Sequence, residues 1–419
     1  MTAVPAGPMR GPLPVRSRQT ALGWLAQRRL HLMPLLLVAP SVLLVATFFV
    51  APLGYFLLRS IDNSEVPLAL PRASMALQQW NGSGDVPAAA FEALAGDLRS
   101  LADSPALSQL ARRLNHSQPG FRSLVTRTAA RLPEAAPAAG WQAAFAAVDE
   151  RWGEPVWMRV LRAESGRWTP SYYLAAVDLR LGEGGRLEQV STEEAVFRTL
   201  FVRTFVISAT VTALCLVLGF PVALLMARAT PGVANVLLML VLIPFWTSLL
   251  VRSAAWVILL QNQGVVNQSL IGLGLLEKPV PLIFNRFGLY VAMVHVLVPF
   301  MILPLYSVLK GIPENLTRAA ASLGAPPWTA FVRVYLPQTV PGVVAGSSLV
   351  FVLALGYYIT PALVGGPGDQ MIGYFIAYFT NSAINWGMAA ALGTLLLATV
   401  ALIYAAIGAT IGFGSLKVR

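Results

Sequence analysis

The chain has 419 residues, 56% hydrophobic and only 12% charged, whereas soluble globular domains carry about 25% charged residues, so a soluble fold is excluded. Mean hydropathy is +0.65 and the sequence pI about 10.2. The net charge of +11 comes with only three lysines, never clustered, which argues against nucleic acid as a partner and makes the charge a record of membrane topology first.

Residues 1–31, rich in Pro and Arg, read as a basic cytoplasmic tail without fixed structure. A charge-free run follows at 32–58. A membrane helix needs roughly 20 apolar residues to cross about 30 Å of hydrocarbon. These 27 residues exceed the apolar core of a signal peptide, so an uncleaved anchor, the first transmembrane helix, is expected. From Ser60 to Phe197 the composition inverts. Sixteen of the 19 acidic residues lie there, all except Glu277, Glu314 and Asp369, together with 13 arginines. The segment 60–197 is therefore a solvated insert, long enough for a core of its own. Apolar residues at three- and four-residue spacing over 90–113 and 141–162 make it mainly helical, and a Pro/Ala/Gly stretch at 133–140 separates the two parts.

Further spans are expected at 202–228, 234–258, 287–309, 340–363 and 386–413, giving an all-α integral membrane protein of six transmembrane helices. The single cysteine, Cys215, falls in the second span and excludes disulfides and Cys-based metal sites within the chain. The third span ends in a run, 253–276, that is uncharged but holds Gln261, Asn262, Gln263, Asn267 and Gln268. Lipid supplies no partners for buried amides, so an external loop is expected there rather than a seventh span. His295, mid-span in the fourth helix, is either a functional group or a neutral histidine bonded to a neighbouring helix.

Polar and aromatic residues inside apolar spans mark the expected substrate path. Trp246 and Thr247 follow Pro244, which loosens its helix, and Tyr357 and Tyr358 sit in the fifth span, with Asp369 near the external mouth. Aromatic faces there suit a cation; alternatively, they anchor the protein at the bilayer interface. Arg252, near the end of its span, is equally an anchor or a gate.

With six spans, Arg10, Arg16, Arg18, Arg28, Arg29, Arg228, Lys310, Arg318, Arg333, Lys417 and Arg419 share one side with Glu314 alone. By the positive-inside rule that side is cytoplasmic. Both termini then lie inside and the insert outside. No catalytic constellation assembles, because His31, His116 and His295 fall at different levels of this topology. A phosphate loop needs Gly-Lys-Ser/Thr, yet Lys278, Lys310 and Lys417 precede Pro, Gly and Val, so this chain holds no ATP that way.

Between the fourth and fifth spans lies a cytoplasmic loop, 311–337, that reads as helix, turn, helix. Leu316, Ala319, Ala320 and Leu323 share one face, and Gly324 is placed to end the helix in the left-handed conformation. Pro326 and Pro327 open a second short helix, and Pro337 is expected to break it before the fifth span. A short helix with small surface residues suits close docking into a groove on a partner.

The spacing Ala319-Ala320, Gly324, Val334-Tyr335-Leu336-Pro337 resembles the loop motif of the permease subunits of binding-protein-dependent ABC importers. Pro244-Phe-Trp-Thr-Ser-Leu-Leu-Val-Arg252, Leu297-Val-Pro-Phe-Met-Ile-Leu-Pro-Leu-Tyr306, Pro341-Gly-Val-Val-Ala-Gly-Ser-Ser-Leu-Val-Phe351 and Leu363-Val-Gly-Gly366 are similar to the branch that imports spermidine and putrescine. The resemblance covers 32–60 and 198–415. It implies a non-catalytic permease core of the bacterial inner (plasma) membrane, 198–415 supplying five of its helices. The expected partners are a second, homologous permease in a heterodimer, two ATPase subunits that hold ATP and Mg, and an extracytoplasmic substrate-binding protein. It also implies ATPase docking through Leu316, Arg318, Ala319, Ala320, Leu323, Gly324, Leu336 and Pro337. No cofactor is expected in this chain. Two departures stand out. Arg318 occupies the family's acidic position, and the insert replaces a short first external loop. The insert is expected to dock the binding protein or to pack on the second permease. The competing expectation from another class is a membrane-anchored sensor whose insert binds a ligand.

Overall fold

The structure is a computed structural model that describes residues 37–181, 187–191 and 195–411; the tail 1–31 and both chain ends used for orientation lie outside them. The chain divides into two units, Met1–Phe56 and Leu57–Arg419. Of the first, the described part belongs to helix α1, Leu37–Leu58, which buries none of its residues against the chain. A helix apolar on every side is stable only with lipid or another protein around it.

The second unit begins with the insert, built from α2 (Glu65–Ala69), α3 (Pro71–Gln79), α4 (Ala88–Leu101), α5 (Pro105–Ser117), α6 (Phe121–Arg131), α7 (Gly140–Val148), α8 (Pro155–Ala163) and α9 (Ser171–Ala176). The run expected to be helical over 90–113 is interrupted by Ser104, whose hydroxyl accepts from Ala106 N just before Pro105 opens α5. A separate core does form, as the insert's length requires. Phe91 and Phe121 pack edge-to-face on Phe145 and Trp157, and Trp152 closes the cluster while its indole donates to Thr128 Oγ1 at 2.8 Å. A small hairpin departs from the helical pattern: β1 (Leu179–Leu181) pairs antiparallel with β2 (Leu187–Gln189). The neck is closed by Asn63, whose amide donates to Glu164 O and Gly166 O, and by Thr169 N, which donates to Ile61 O.

The bundle follows: α10 (Phe197–Arg228), α11 (Pro231–Leu242), α12 (Leu249–Leu260), α13 (Val265–Gly272), α14 (Arg286–Lys310), α15 (Asn315–Ser322), α16 (Pro327–Gly356), α17 (Ile359–Val364), α18 (Ile372–Asn381) and α19 (Trp386–Ile411). Among the described residues six stretches, α1 included, are long and apolar enough to cross a membrane. Helices α10, α14 and α16 form its centre. α10 runs parallel to α14, Gly219 facing Met301 and Ile302, while α16 runs back, with Gly342 against Val308 and Gly346 against Met301. A Cβ on Gly346 would stand 2.8 Å from Met301 Sδ, so glycine sets how closely these helices approach.

Two expectations change. The third span, expected as one helix over 234–258, is broken: α11 ends in a 3₁₀ turn at Ile243–Trp246, and Ser248 caps α12 by accepting from Val251 N. Pro244 explains the loosening. Helix α12 ends at Leu260, with Gln261 as its extended C-cap, and the short α13 follows, where the buried Asn267 finds backbone partners at Gln261 O, Val280 O and Val280 N. Pro337 also fails to break the chain. A π-turn at Phe331–Tyr335, with Leu336 N bonded to Phe331 O, opens the backbone just ahead of the proline, so α16 runs through it.

Candidate functional site

Helix α15 ends as its sequence requires. Gly324 has φ +84, its N–H donates to Ala321 O, and Ala325 N donates to Ala320 O, the two bonds of a Schellman cap. Leu316, Ala319 and Gly324 are exposed, Leu323 is 88% exposed, and Ala320 is half-buried, so the expected apolar face turns away from its own chain. Arg318 and Glu314 form an ion pair within the helix, both side chains in water, worth about 0.2–0.5 kcal/mol to it. Beyond the cap, Trp328, 74% exposed, stacks on Phe331 and Phe331 on Tyr335, with Arg228 over the Tyr335 ring at 5.1 Å. Between α15 and the ends of α10 and α14 opens a cavity of about 880 Å³ lined by Arg228, Lys310, Arg318 and these aromatic rings. Leu336 and Pro337 are exposed on the adjoining turn of α16.

The expected membrane path is more dispersed. Trp246 is 90% exposed at the end of its 3₁₀ turn, and Thr247 Oγ1 donates to Pro244 O. Tyr357 and Tyr358 occupy the break between α16 and α17, the first packed against the bundle core and the second exposed. Asp369 is only 7% exposed. Its Oδ1 accepts from Arg286 Nε at 2.9 Å and its Oδ2 from Gly366 N, so this carboxylate is committed to a turn and an ion pair. Among the described residues no hydrogen bond or ring contact joins Trp246 to Tyr357, Tyr358 or Asp369.

A polar cluster on α12 does link helices. Trp256 donates to His295 Nδ1 at 3.2 Å, and Ser253 bonds to Thr360 on α17. An indole N–H can only donate, so His295 accepts here and is not doubly protonated, as expected for a histidine bonded to a neighbouring helix. One turn earlier, Arg252 keeps Nε and Nη1 buried without partners. Arg252 and His295, each polar in an otherwise apolar helix, are the two sequence signals for this cluster.

The insert is fixed to the bundle by residues that no sequence pattern marked. Asp178 accepts from Val196 N, Phe197 N and Arg198 N, a carboxylate placed on the N-terminus of α10. Tyr172 and Ala176 of α9 pack with Leu200, Ile372, Met388, Ala391 and Leu392. The Tyr172 ring lies so close to Gly387 that a Cβ there would stand 2.3 Å from two of its carbons. Burial pushes the Tyr172 phenol up to about 12. Among the described residues no three His, Cys, Asp or Glu side chains group to hold a metal.

Residues 216–413 match the family model described as binding-protein-dependent transport system inner membrane component. The spermidine/putrescine transport system permease protein PotB of Haemophilus influenzae is 36% identical over 200 residues, 47% of this chain and 70% of that protein. The inner membrane ABC transporter permease protein YdcU of Escherichia coli is 36% identical over 219 residues, 48% of this chain and 68% of that one. Among solved structures, a chain of a bacterial alginate ABC transporter in complex with an alginate pentasaccharide-bound periplasmic protein aligns over 49% of this chain and 75% of that one, at 21% identity and a TM-score of 0.39.

Proposed function

This chain belongs to the family of inner membrane components of binding-protein-dependent transport systems, and on that premise we propose that it lines the path of an ATP-driven importer for a small cationic solute of the polyamine kind. The observation that carries the coupling part is α15: an amphipathic helix, sharply capped, with Leu323 exposed and a cavity open beside it. An exposed apolar patch of this kind marks an interaction site, and in this reading the ATPase is the partner that covers it. ATP binding closes the ATPase pair, the two α15 helices of a permease heterodimer follow, and the path opens toward the binding protein.

Orientation follows from the same end of the molecule. Arg228, Lys310 and Arg318 line one cavity, while the insert joins the bundle at the opposite ends of α10 and α19. By the positive-inside rule the basic end is cytoplasmic, and the insert is then outside, where a substrate-binding protein lands.

The polyamine part rests on the names of the relatives and on exposed aromatic surfaces at Trp246 and Tyr358. With Asp369 paired to Arg286, a cation in this half of the path meets ring faces rather than a free carboxylate. Uptake of labelled putrescine and spermidine into proteoliposomes holding the full complex tests this. Accumulation that requires internal ATP and external binding protein is expected. Uptake without nucleotide, or import of anions alone, would overturn it.

A further inference from the structure

The cavity of about 880 Å³ beside α15 is unevenly charged. Its lining holds three cations, Arg228, Lys310 and Arg318, against one acid, Glu314, and that acid is already paired with Arg318 on α15. Arg228 and Lys310 are left over. Both are exposed, and neither pairs with a carboxylate among the described residues. The rings beneath them fix their positions: the Arg228 guanidinium stands 5.1 Å from the centre of the Tyr335 ring, and the Lys310 ammonium 5.4 Å from that of Tyr306.

Arg228 ends α10 and Lys310 ends α14. The last carbonyls of a helix carry about half a negative charge, which offsets only part of each cation. The positive-inside rule asks for basic residues on this side of the membrane; it does not ask that two of them share one cavity wall with no free carboxylate. In water the excess costs little. Once a partner covers the cavity the water is lost, and a cation stripped of water without an acceptor is strongly destabilising. The apolar surface alongside, with Leu323 88% and Trp328 74% exposed, is what such a partner covers.

We propose that the ATPase surface seated on this cavity carries carboxylates, one against Arg228 and one against Lys310. The proposal rests on the reading of α15 as the ATPase-docking helix and adds the charge that the partner brings. The permease side of the contact is the basic one, so docking holds by charge as well as by apolar fit. Such a contact weakens as salt rises.

The test is titration of the cognate ATPase onto the full-length chain, assembled with its second permease in lipid nanodiscs, over a series of salt concentrations. Arg228→Glu together with Lys310→Glu is expected to weaken binding at least about tenfold and to remove its fall with salt. Arg122→Gln, on the exposed face of α6, leaves both unchanged. A zero-length carbodiimide, which joins an amine to a carboxylate in contact, reads the pair without any destabilising substitution, because the chain has only three lysines. A cross-link from Lys310 to an Asp or Glu of the ATPase is expected, lost in Lys310→Arg while the affinity stays. Binding that Gly324→Asp abolishes but the two charge reversals leave alone, with no cross-link from Lys310, overturns the proposal and leaves docking through α15 standing. The same indifference, with release of a bound anionic phospholipid by the reversals, assigns the cavity to lipid and overturns it too. An ATPase that does not bind the unsubstituted complex overturns both.

Discussion

Asp178 shows how much one side chain decides here. Held at φ +57, it presents its carboxylate to three backbone N–H groups at the start of α10, groups that no intrahelical partner satisfies. Replacing it with Ala should cost about 2 kcal/mol, the upper range for a cap bonded by a buried charge, measured as a lower thermal unfolding midpoint in detergent. Asn at the same position should recover part of the loss. Nothing local in the sequence announces this role, because the capped helix begins 19 residues later in the chain and Asp178 is one acid among many in the insert. Asp369 makes the same point from the other side: the sequence places an acidic group near the mouth of the path, and only the fold brings Arg286 to it.

At the scale of elements, what was legible is what local chemistry dictates. Gly324 after Leu323 signals a left-handed cap, and the Schellman bonds are there. The break at Thr247 follows from Pro244 and a capping serine, although the sequence alone placed one continuous span across it. Pro337 misled because the relief comes from its surroundings: the π-turn at Phe331–Tyr335 accommodates a residue that would otherwise end a helix. Helix pairing was the least legible. Gly342 and Gly346 are small residues in a long apolar run, and only the structure shows Val308 and Met301 against them. Gly346→Val should destabilise by about 1–3 kcal/mol through overpacking, since its Cβ would meet the backbone oxygen of Met301 at 3.1 Å as well as its sulfur; unchanged thermal stability would contradict the packing. Gly54→Val, where a Cβ meets open space, is the matched control.

For the whole molecule, the charge distribution that first marked the chain as a membrane protein turns out to sort it into working parts. The acidic insert has its own aromatic core and is joined to the N-terminal ends of α10 and α19, not left on a flexible tether. A partner that lands on the insert therefore acts on two membrane helices at once. Deleting 68–188 and measuring binding-protein affinity for the assembled complex separates docking from packing on a second permease: at least tenfold weaker binding with the complex intact is the expected result, and loss of the permease pair with unchanged affinity the opposing one.

In the proposed transport cycle energy enters through α15. Gly324 is exposed, and a side chain there meets open space at a backbone conformation that Asp tolerates better than most residues, so Gly324→Asp should insert and fold while placing a carboxylate on the docking surface. The decisive measurement is ATP-driven substrate uptake by proteoliposomes carrying the complete complex with Gly324→Asp. Correctly inserted protein with uptake reduced to the level seen without ATP is the outcome expected here; uptake at the unsubstituted rate would contradict the assignment of α15 as the coupling element.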